Sequence, residues 1–371
     1  MKRLAGALCI GVMACLALDD VGPDFDASSH FAVRPRWTAA FPGELLQLTA
    51  GITDTKGQIV QVPGIRWQSS DSTVANVDSS GRMRAYRFGS VTVEASLGDS
   101  LQNLTVVVAP PVLVGAGDIA SCKSKGDEGT AAILDTMPGI VFVAGDIAYD
   151  SGSVDNFAQC YAPSWGRHRA RTRPAPGNHE YYTAGARPYY DYFGVNAGSP
   201  GEGYYSYDLG QWHVIVINSS AAVGRNSPQF QWLLKDLATN TARCTVAYWH
   251  FPLFTSGPNG PYAEMREVWR ALYSFGADIV INGHDHIYER FAPQDPDGNA
   301  DPIGGIRQFI VGTGGKSLYP VSSNIARNSE VANASTFGIL KLTLRPSSYD
   351  WLFVPVTPGT FQDSGAGECH Q

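Results

Sequence analysis

Short hydrophobic runs separated by polar turns occupy the first part of the chain. The runs cover positions 45–50, 65–68, 74–77, 91–95 and 104–108, and Gly, Pro, Asp and Ser stand between them. Runs of this length and spacing predict short strands joined by tight turns, which is the pattern of a small β-sandwich. We expect this domain to cover 27–108 and Ala109-Pro110-Pro111 to form a stiff linker over 109–111.

Strand-like runs and helical segments alternate after the linker, which predicts a second domain at 112–357 and a tail at 358–371. The runs are 112–117, 140–144, 212–218, 244–250, 277–281, 308–311, 338–344 and 349–354. We expect helices at 127–137, at 228–238 after a capping Ser227, and at 262–275.

The N-terminus has the pattern of an export signal over 1–18. Lys2 and Arg3 precede an apolar segment that is too short to span a bilayer. Val12-Met13-Ala14-Cys15 resembles a bacterial lipobox, in which Cys15 would carry a lipid anchor. Simple cleavage near Ala17 is the alternative.

Composition and charge narrow the function classes. The chain has 371 residues, of which 44% are hydrophobic, so two or three well-packed domains are expected. A net charge of -7 with 16% charged residues leaves no extended basic surface. Nucleic-acid binding by phosphate neutralisation is therefore not expected.

Four cysteines follow the N-terminal segment, namely Cys122, Cys160, Cys244 and Cys369. Export would place them in an oxidising compartment, where an even number favours disulfides. None of them forms a Cys-x-x-Cys pair, which makes zinc binding or redox catalysis the weaker interpretation. Of the three possible pairings we favour Cys122 with Cys160, which would join two loops, and Cys244 with Cys369, which would fasten the tail to a core strand.

Polar side chains that can bind metal follow nearly every strand-like run of the second domain. A single Asp could simply cap a helix, and a single His at a strand end is more often hydrogen-bonded than metal-bound. Agreement at five strand ends favours a metal centre. Carboxylate and phenolate oxygens suit a hard trivalent ion, whereas imidazole and amide groups suit a divalent one. The candidate ligands are Asp118, Asp146, Tyr149, Asn178, His250, His284 and His286.

The motifs around these ligands resemble the calcineurin-like metallophosphoesterases. The motifs are Gly-Asp-Ile-Ala at 117–120, Gly-Asp-Ile-Ala-Tyr at 145–149, Gly-Asn-His-Glu at 177–180 and Gly-His-Asp-His-Ile-Tyr-Glu-Arg at 283–290. Tyr149 narrows the resemblance to the purple acid phosphatases. The resemblance implies an α+β fold with two packed mixed sheets flanked by helices.

The same resemblance assigns the ligands to two ions. Iron(III) would be held by Asp118, Tyr149 and His286. A divalent zinc, iron or manganese ion would be held by Asn178, His250 and His284. Asp146 would bridge the two ions.

The first domain resembles the bacterial immunoglobulin-like group 2 domain over nearly all of 27–108. Trp67-Gln68-Ser69-Ser70-Asp71, Val74-Ala75-Asn76-Val77, Ser80-Gly81-Arg82 and Gly89 carry this resemblance. Trp67 is expected to pin the core, and 78–81 to form a hairpin turn. We expect the domain to act as a stalk; adhesion to a cell surface is the alternative.

The expected activity is hydrolysis of phosphomonoesters by a hydroxide activated between two metal ions. His179, beside the ligand Asn178, would stabilise the phosphoryl oxygens or protonate the leaving alkoxide, or else only orient a ligand. A phosphodiester or nucleotide substrate is an alternative that uses the same ligands. A surface adhesion protein with an inert metal domain is a second alternative.

Two sequence features bear on substrate contacts. Plant relatives carry further histidines after the ligand that corresponds to His250, but the loop 251–260 has none and offers Phe251 and Phe254 instead. Arg167, Arg169, Arg171 and Arg173 precede Asn178 and could guide an anionic substrate. We expect most of them to be solvated or internally paired, and we keep Arg173 as the candidate substrate contact.

Overall fold

The structure is a computed structural model that describes residues 26, 29–35 and 37–370. The expected export signal and Cys15 lie outside the described residues. The chain divides into two compact units, with the division between Pro110 and Pro111.

The first unit is built from strands alone. Its sheets have the orders β1-β4-β5, β2-β10-β9-β6 and β3-β8-β7. Alternate residues of β9 and β10 face the core, among them Val91, Val93, Leu104 and Val106. The strands are β1 Phe31–Arg34, β2 Trp37–Ala40, β3 Leu45–Gln47, β4 Thr49–Thr53, β5 Ile59–Val60, β6 Arg66–Ser69, β7 Ala75–Val77, β8 Arg82–Ala85, β9 Gly89–Leu97 and β10 Ser100–Val108.

The expected hairpin turn joins β7 to β8. The Asp78 carboxylate accepts hydrogen bonds from the amides of Ser80 at 2.8 Å and Arg82 at 3.0 Å. Trp67 is partly buried and packs against the core of the unit. The expectation of a small all-β domain is confirmed.

The second unit contains fifteen of the described strands and six α-helices. The strands are β11 Val112–Ala116, β12 Ala120–Ser121, β13 Ile140–Ala144, β14 Ala148–Tyr149, β15 Thr172–Ala175, β16 Tyr205–Leu209, β17 Trp212–Val216, β18 Cys244–Trp249, β19 Ile279–Asn282, β20 Tyr288–Phe291, β21 Arg307–Val311, β22 Ser329–Asn333, β23 Gly338–Leu344, β24 Ser348–Pro355 and β25 Ser364–Glu368. The helices are α1 Gly126–Asp135, α2 Val154–Asn156, α3 Asn178–Tyr181, α4 Arg187–Phe193, α5 Pro228–Thr239 and α6 Arg266–Ser274.

Two mixed sheets form the centre of the second unit. Their strand orders are β15-β13-β11-β23-β24-β25 and β16-β17-β18-β19-β21-β20-β22. Side chains of the two sheets meet face to face: the rings of Phe142 and Tyr248 lie 5.7 Å apart, and those of Phe309 and Trp351 lie 5.8 Å apart. The predicted fold class, two packed mixed sheets with helices, is confirmed.

Helices α5 and α6 cover one face of the seven-stranded sheet, where Leu233, Leu237, Trp269 and Leu272 are buried in a common core. The Ser227 side chain caps α5 by accepting a hydrogen bond from the amide of Phe230. Within the described residues, no helix combines the length and apolar character that a membrane crossing requires.

Three segments differ from the sequence expectations. Residues 172–175, where the sequence predicted no strand, form β15, which pairs with β13 in parallel. Residues 364–368, expected in a tail, form β25 at the edge of the six-stranded sheet. The helix expected from residue 262 begins with a 3-10 turn, Ala263–Met265, before α6. In the two strands, pairing with a distant strand rather than local composition decides the conformation.

Both favoured disulfides are present in the structure. Cys122 is bonded to Cys160, and Cys244 is bonded to Cys369. The first bond starts directly after β12, and the second connects β18 to the residue that follows β25.

Candidate metal centre

The candidate ligands lie where parallel strands of both sheets end. Asp118, Asp146 and Asn178 follow the parallel strands β11, β13 and β15. His250 follows β18, and His284 follows the adjacent parallel strand β19. Because the sheets face each other, their carboxyl ends bring these loops to one place.

Asp118, Tyr149 and His286 form one half of the centre. The Tyr149 hydroxyl donates a hydrogen bond to Asp118 Oδ1 at 2.8 Å and lies 3.2 Å from His286 Nε2. His286 Nε2 is itself 3.2 Å from Asp118 Oδ1. All three side chains are buried.

Asn178, His250 and His284 form the other half. His250 Nε2 lies 3.1 Å from Asn178 Oδ1 and 3.2 Å from His284 Nδ1. Asp146 Oδ2 joins the halves, since it is 3.2 Å from His250 Nε2 and 3.1 Å from the Tyr149 hydroxyl. The structure therefore brings all seven sequence-predicted ligands into one continuous cluster.

Electrostatics tie the two halves together. Burial would raise the pKa of Asp146, but the neighbouring His250 and His179 outweigh burial and hold this pKa below its usual range. Burial would lower the pKa of His250, but Asp146 raises it to about 9. Burial, with Asp118 and Asp146, keeps the pKa of the Tyr149 phenol well above its ordinary value.

This donor set fits a pair of cations. Among the described residues, the ion pairs made to Asp118 and Asp146 come from histidines, although both carboxylates are almost fully buried. Buried carboxylates are normally paired with a cation or bound to a metal. The oxygen-rich half suits a hard ion and the nitrogen-rich half a borderline one, and Asp146, His250 and His284 place one ligand atom each within 4.8 Å of one another.

Three of the candidate ligands have backbone conformations that L-residues rarely adopt. The φ angles of Asp118, Asp146 and His284 are 61°, 51° and 72°. Conformations of this kind cost about 1–3 kcal/mol each and cluster at functional sites. The surrounding packing must hold these loops in place.

Gly177 allows the Asp146 and Asn178 loops to touch. A Cβ at this position would lie 2.1 Å from Asp146 Oδ1 and 2.4 Å from the Asp146 amide nitrogen. Any larger residue would push the Asp146 carboxylate out of position.

Glu180 holds the Asp146 loop and was not singled out from the sequence. Its buried carboxylate accepts hydrogen bonds from the amides of Ile147 at 2.8 Å, Asp146 at 3.1 Å and Gly177 at 2.8 Å. A Glu three residues after the N-cap of a helix can accept a hydrogen bond from the N-cap amide, and Gly-Asn-His-Glu shows this local pattern. No local sequence pattern indicates the hydrogen bonds from the Asp146 loop to Glu180.

In two of the candidate ligand histidines, His250 and His286, the Nδ1 atom has a hydrogen-bond partner of its own. His250 Nδ1 donates to the Ala144 carbonyl at 2.9 Å. His286 Nδ1 lies 2.8 Å from Ser317 Oγ, and the His286 ring stacks on Tyr319 with centroids 4.0 Å apart. Such contacts fix the orientation of a ligand histidine. Nothing in the sequence around His286 indicated Ser317 or Tyr319.

His179 lies at the edge of the centre. Its Nδ1 donates to the Asp150 carbonyl at 2.5 Å, and its Nε2 is 3.7 Å from Asp146 Oδ2. The ring lies between those of Tyr149 and Tyr182, with centroid distances of 4.3 and 4.7 Å. Its side chain is 23% exposed, so it can reach a molecule that enters from solvent.

The four arginines have internal partners. Arg167 forms an ion pair with Asp135 at 2.6 Å, and Arg171 donates to the carbonyls of Leu134 and Gly139, each at 2.8 Å. The Arg169 guanidinium lies over the Tyr192 ring at 4.8 Å. Arg173 donates to the Thr172 carbonyl at 3.2 Å.

The loop after His250 is fixed to the ligand loop by Asp285. The Asp285 carboxylate accepts from the Thr255 hydroxyl at 2.6 Å and from the Asn259 amide at 3.0 Å. Phe251 stacks on Tyr262 beside His284. Phe254, however, packs edge-on against Trp269 in the core of the sheet and helices, 5.2 Å between centroids. Tyr262, rather than Phe254, supplies the second ring near the ligands.

Comparison with known families agrees with this architecture. Residues 116–288 match the calcineurin-like phosphoesterase family, and residues 29–108 match the bacterial Ig-like domain (group 2). The chain thus carries a calcineurin-like metallophosphoesterase domain, which is preceded by a bacterial immunoglobulin-like domain.

The chain is also similar in sequence to purple acid phosphatases. It is 28% identical over 221 residues to purple acid phosphatase 15 of Arabidopsis thaliana, which covers 49% of this chain and 41% of the relative. It is 30% identical over 175 residues to the purple acid phosphatase of Glycine max, which covers 40% of this chain and 37% of the relative. The chain therefore spans about two fifths of these relatives.

Solved structures share the fold at low sequence identity. A purple acid phosphatase from yellow lupin seeds superposes with a TM-score of 0.62 at 18% identity, covering 88% of this chain and 74% of that one. GAP50, the anchor in the inner membrane complex of Plasmodium, gives 0.55 at 13% identity, covering 71% of this chain and 90% of that one. The fold is therefore shared by a phosphatase and by a protein named as an anchor of a membrane complex.

Proposed function

We propose that the second unit hydrolyses phosphomonoesters at a centre that holds two metal ions. The observation that carries this proposal is the convergence of seven donor side chains from five strand ends, with the Asp146 carboxylate between the two halves. An arrangement with one shared carboxylate and separate oxygen-rich and nitrogen-rich halves is suited to two different ions.

Asp118, Tyr149 and His286 would hold iron(III), and Asn178, His250 and His284 would hold divalent zinc, iron or manganese. Bound there, the ions would supply an acidified water and a positive clamp for the phosphate oxygens. The Asp146 carboxylate would be shared by the two ions, while Glu180 holds the Asp146 loop and Ser317 orients His286. His179 faces the entrance and would donate a hydrogen bond to the phosphate or a proton to the departing alkoxide.

The first unit and the disulfides support a location outside the cytoplasm. Two disulfides are typical of oxidising compartments, and the segment 1–18 has the pattern of an export signal. We assign the immunoglobulin-like domain the role of a spacer that presents the catalytic unit at a cell surface, with a lipid at Cys15 as one means of attachment. An N-terminus free of lipid, found by mass spectrometry, would exclude that anchor.

The function is tested on the full-length protein by metal analysis and by hydrolysis of p-nitrophenyl phosphate and bis-p-nitrophenyl phosphate. We expect close to two metal ions per chain and a preference for the monoester. His284→Gln should lose metal and activity together. His168→Gln serves as the matched control because His168 pairs with Asp135, outside the cluster.

Other outcomes separate the alternatives. A preference for the diester would replace the phosphomonoesterase assignment with a phosphodiesterase. Full metal occupancy without hydrolysis of either ester would favour a binding or scaffold protein. Absence of bound metal would refute the proposed centre.

A further inference from the structure

A cavity of about 370 Å³ opens beside the proposed metal centre. Its walls are Ser219, the segment 221–224, and the residues Tyr262, Glu264 and Met265. None of these residues belongs to the proposed ligand set. A cavity of this size is within the range of small-molecule sites.

The cavity wall is attached to ligand-bearing segments on two sides. Ser219 Oγ accepts a hydrogen bond from the amide of Phe251, directly after the ligand His250, at 3.1 Å. Next to Ser219, the Asn218 side chain donates to the Tyr181 hydroxyl at 2.7 Å, at the end of the helix that begins with Asn178. The loop that forms the cavity therefore keeps a fixed position relative to both segments.

Tyr262 is shared by the cavity and the centre. Its ring stacks on Phe251, with centroids 3.9 Å apart and planes within 3°. The same ring meets the His284 ring edge-on at 5.4 Å. A group that leaves the metal centre on this side would next meet Tyr262 and then the cavity.

The lining of the cavity defines the chemistry of its occupant. Ala221, Ala222, Val223 and Met265 present apolar surface, and Tyr262 adds an aromatic ring. Glu264 is the charged residue among the lining residues. A carboxylate at this position repels a second anionic group on the substrate.

We propose that this cavity binds the organic group of the phosphate ester and selects aromatic or apolar alcohols over anionic ones. The assignment rests on the proposed function, which places the phosphate at the metal ions. The ester oxygen then lies at the centre, and the alcohol carbon chain or ring extends past Tyr262 into the cavity.

The test measures binding of phosphonates, which are not hydrolysed, to the full-length metal-loaded protein by calorimetry. We expect 1-naphthylmethylphosphonate to bind about tenfold more tightly than methylphosphonate, since burial of an aromatic ring in an apolar cavity favours binding. Ala222→Trp, which fills the cavity from an exposed position, should reduce this ratio to about twofold. Ala366→Trp, at an exposed position of the edge strand β25, is the matched control and should retain the wild-type ratio.

The charge at Glu264 is tested in the same assay. 3-Phosphonopropionate should bind about fivefold more weakly than butylphosphonate, and Glu264→Gln should remove most of that difference. Equal affinities of the naphthyl and methyl phosphonates for the wild-type protein, or no measurable binding of either, would overturn the cavity assignment. An unchanged ratio in Ala222→Trp would overturn it as well.

Hydrolysis assays keep this inference distinct from the proposed function. If the naphthyl phosphonate is preferred and the preference is lost in Ala222→Trp, the cavity assignment stands even when no ester is hydrolysed. If esters are hydrolysed but the phosphonates bind alike, the proposed function stands and the cavity assignment is wrong.

Discussion

The Glu180 carboxylate accepts a hydrogen bond from the Ile147 amide at 2.8 Å, which ties the helix carrying Asn178 to the loop carrying Asp146. Glu180→Gln replaces one acceptor oxygen with an NH2 group, which donates and cannot accept. Burial raises the pKa of Glu180 to about 7, so the comparison is made at pH 8.5, where the carboxylate is charged. Because each bond to a charged acceptor contributes about 1.5–3 kcal/mol, we expect the free energy of unfolding to fall by about 2–4 kcal/mol. The metal content should fall with it.

Glu289→Gln is the matched control for that variant. Glu289 is also buried, and it accepts from the Ser256 amide at 2.8 Å and from the Ser329 hydroxyl at 2.6 Å. We expect a similar loss of stability in chemical denaturation but full metal content. Loss of metal in both variants would mean that general destabilisation, rather than the Glu180 contact, empties the centre.

Tyr149 should give the protein its colour. A phenolate bound to iron(III) absorbs visible light, and we expect a visible band in aerobically purified protein that is absent from Tyr149→Phe. Tyr161→Phe changes a buried tyrosine outside the cluster and should keep the band. A colourless wild-type protein that contains iron would contradict the assignment of Tyr149 as an iron ligand.

His179→Ala should affect poor leaving groups more than good ones. General acid catalysis contributes about 10²–10⁴-fold, so we expect a loss of about a hundredfold in kcat for an alkyl phosphate and under about tenfold for p-nitrophenyl phosphate. The comparison is made by steady-state kinetics at one pH. The His179→Asn amide can still donate to the Asp150 carbonyl, and this variant should also lose more kcat for the alkyl phosphate than for p-nitrophenyl phosphate. Recovery of wild-type kcat in His179→Asn would mean that His179 only holds the Asp150 loop in place.

The two disulfides should differ in their effect on the metal centre. Replacing either pair by Ser removes a cross-link across a separation of 38 or 125 residues, and a loss of about 3–5 kcal/mol is expected from loop entropy. Cys122 follows Ser121, which pairs with Tyr149. Metal retention during dialysis against a chelator should therefore fall only in Cys122→Ser/Cys160→Ser; equal retention in both double variants would contradict this.

His213 should make stability depend on pH. Burial lowers its pKa, but hydrogen bonds to Asp236 and Asp208, both at 2.8 Å, outweigh burial and raise it. A raised folded-state pKa means that the stabilisation is complete below the unfolded value of about 6.5 and is lost as the pH rises through the folded value.

The measurement is urea denaturation of the wild-type protein and His213→Gln at pH 5.5 and at pH 9.5. The variant should lose about 1–3 kcal/mol of unfolding free energy at the lower pH and less at the higher pH. His168→Gln is the control variant. Burial first, and then Arg171, lower the pKa of His168, so this variant should not show the same pH dependence as His213→Gln. A larger loss for His213→Gln at pH 9.5 than at pH 5.5 would contradict the assigned charge.

The sequence was most informative where hydrophobic runs end in polar residues. A short apolar run is enough to predict a buried parallel strand, and the loop after such a strand begins at the carboxyl edge of the sheet. Asp118, Asp146 and His250 could therefore be placed at that edge from the sequence alone. Tyr149 and Asn178 could be added to the candidate ligands because they stand at fixed positions in the motifs Gly-Asp-Ile-Ala-Tyr and Gly-Asn-His-Glu.

The contacts that support the ligands were far less accessible to sequence analysis. Ser317 reaches His286 from a loop 31 residues away, and Tyr262 replaces Phe254 beside His284 because the chain turns between them. The tail forms β25 because the neighbouring strand offers it a free edge. Each of these outcomes depends on packing between distant segments, which a local pattern does not encode.

The pairing of β11 with β23 makes the position of Asp118 depend on a strand near the end of the chain. β11 leads to Asp118, yet one of its two neighbours in the sheet is made only near the end of the chain. A fragment that stops at residue 288, the end of the family match, would contain all seven candidate ligands but would leave one edge of β11 open. We therefore expect such a fragment not to hold Asp118 in place.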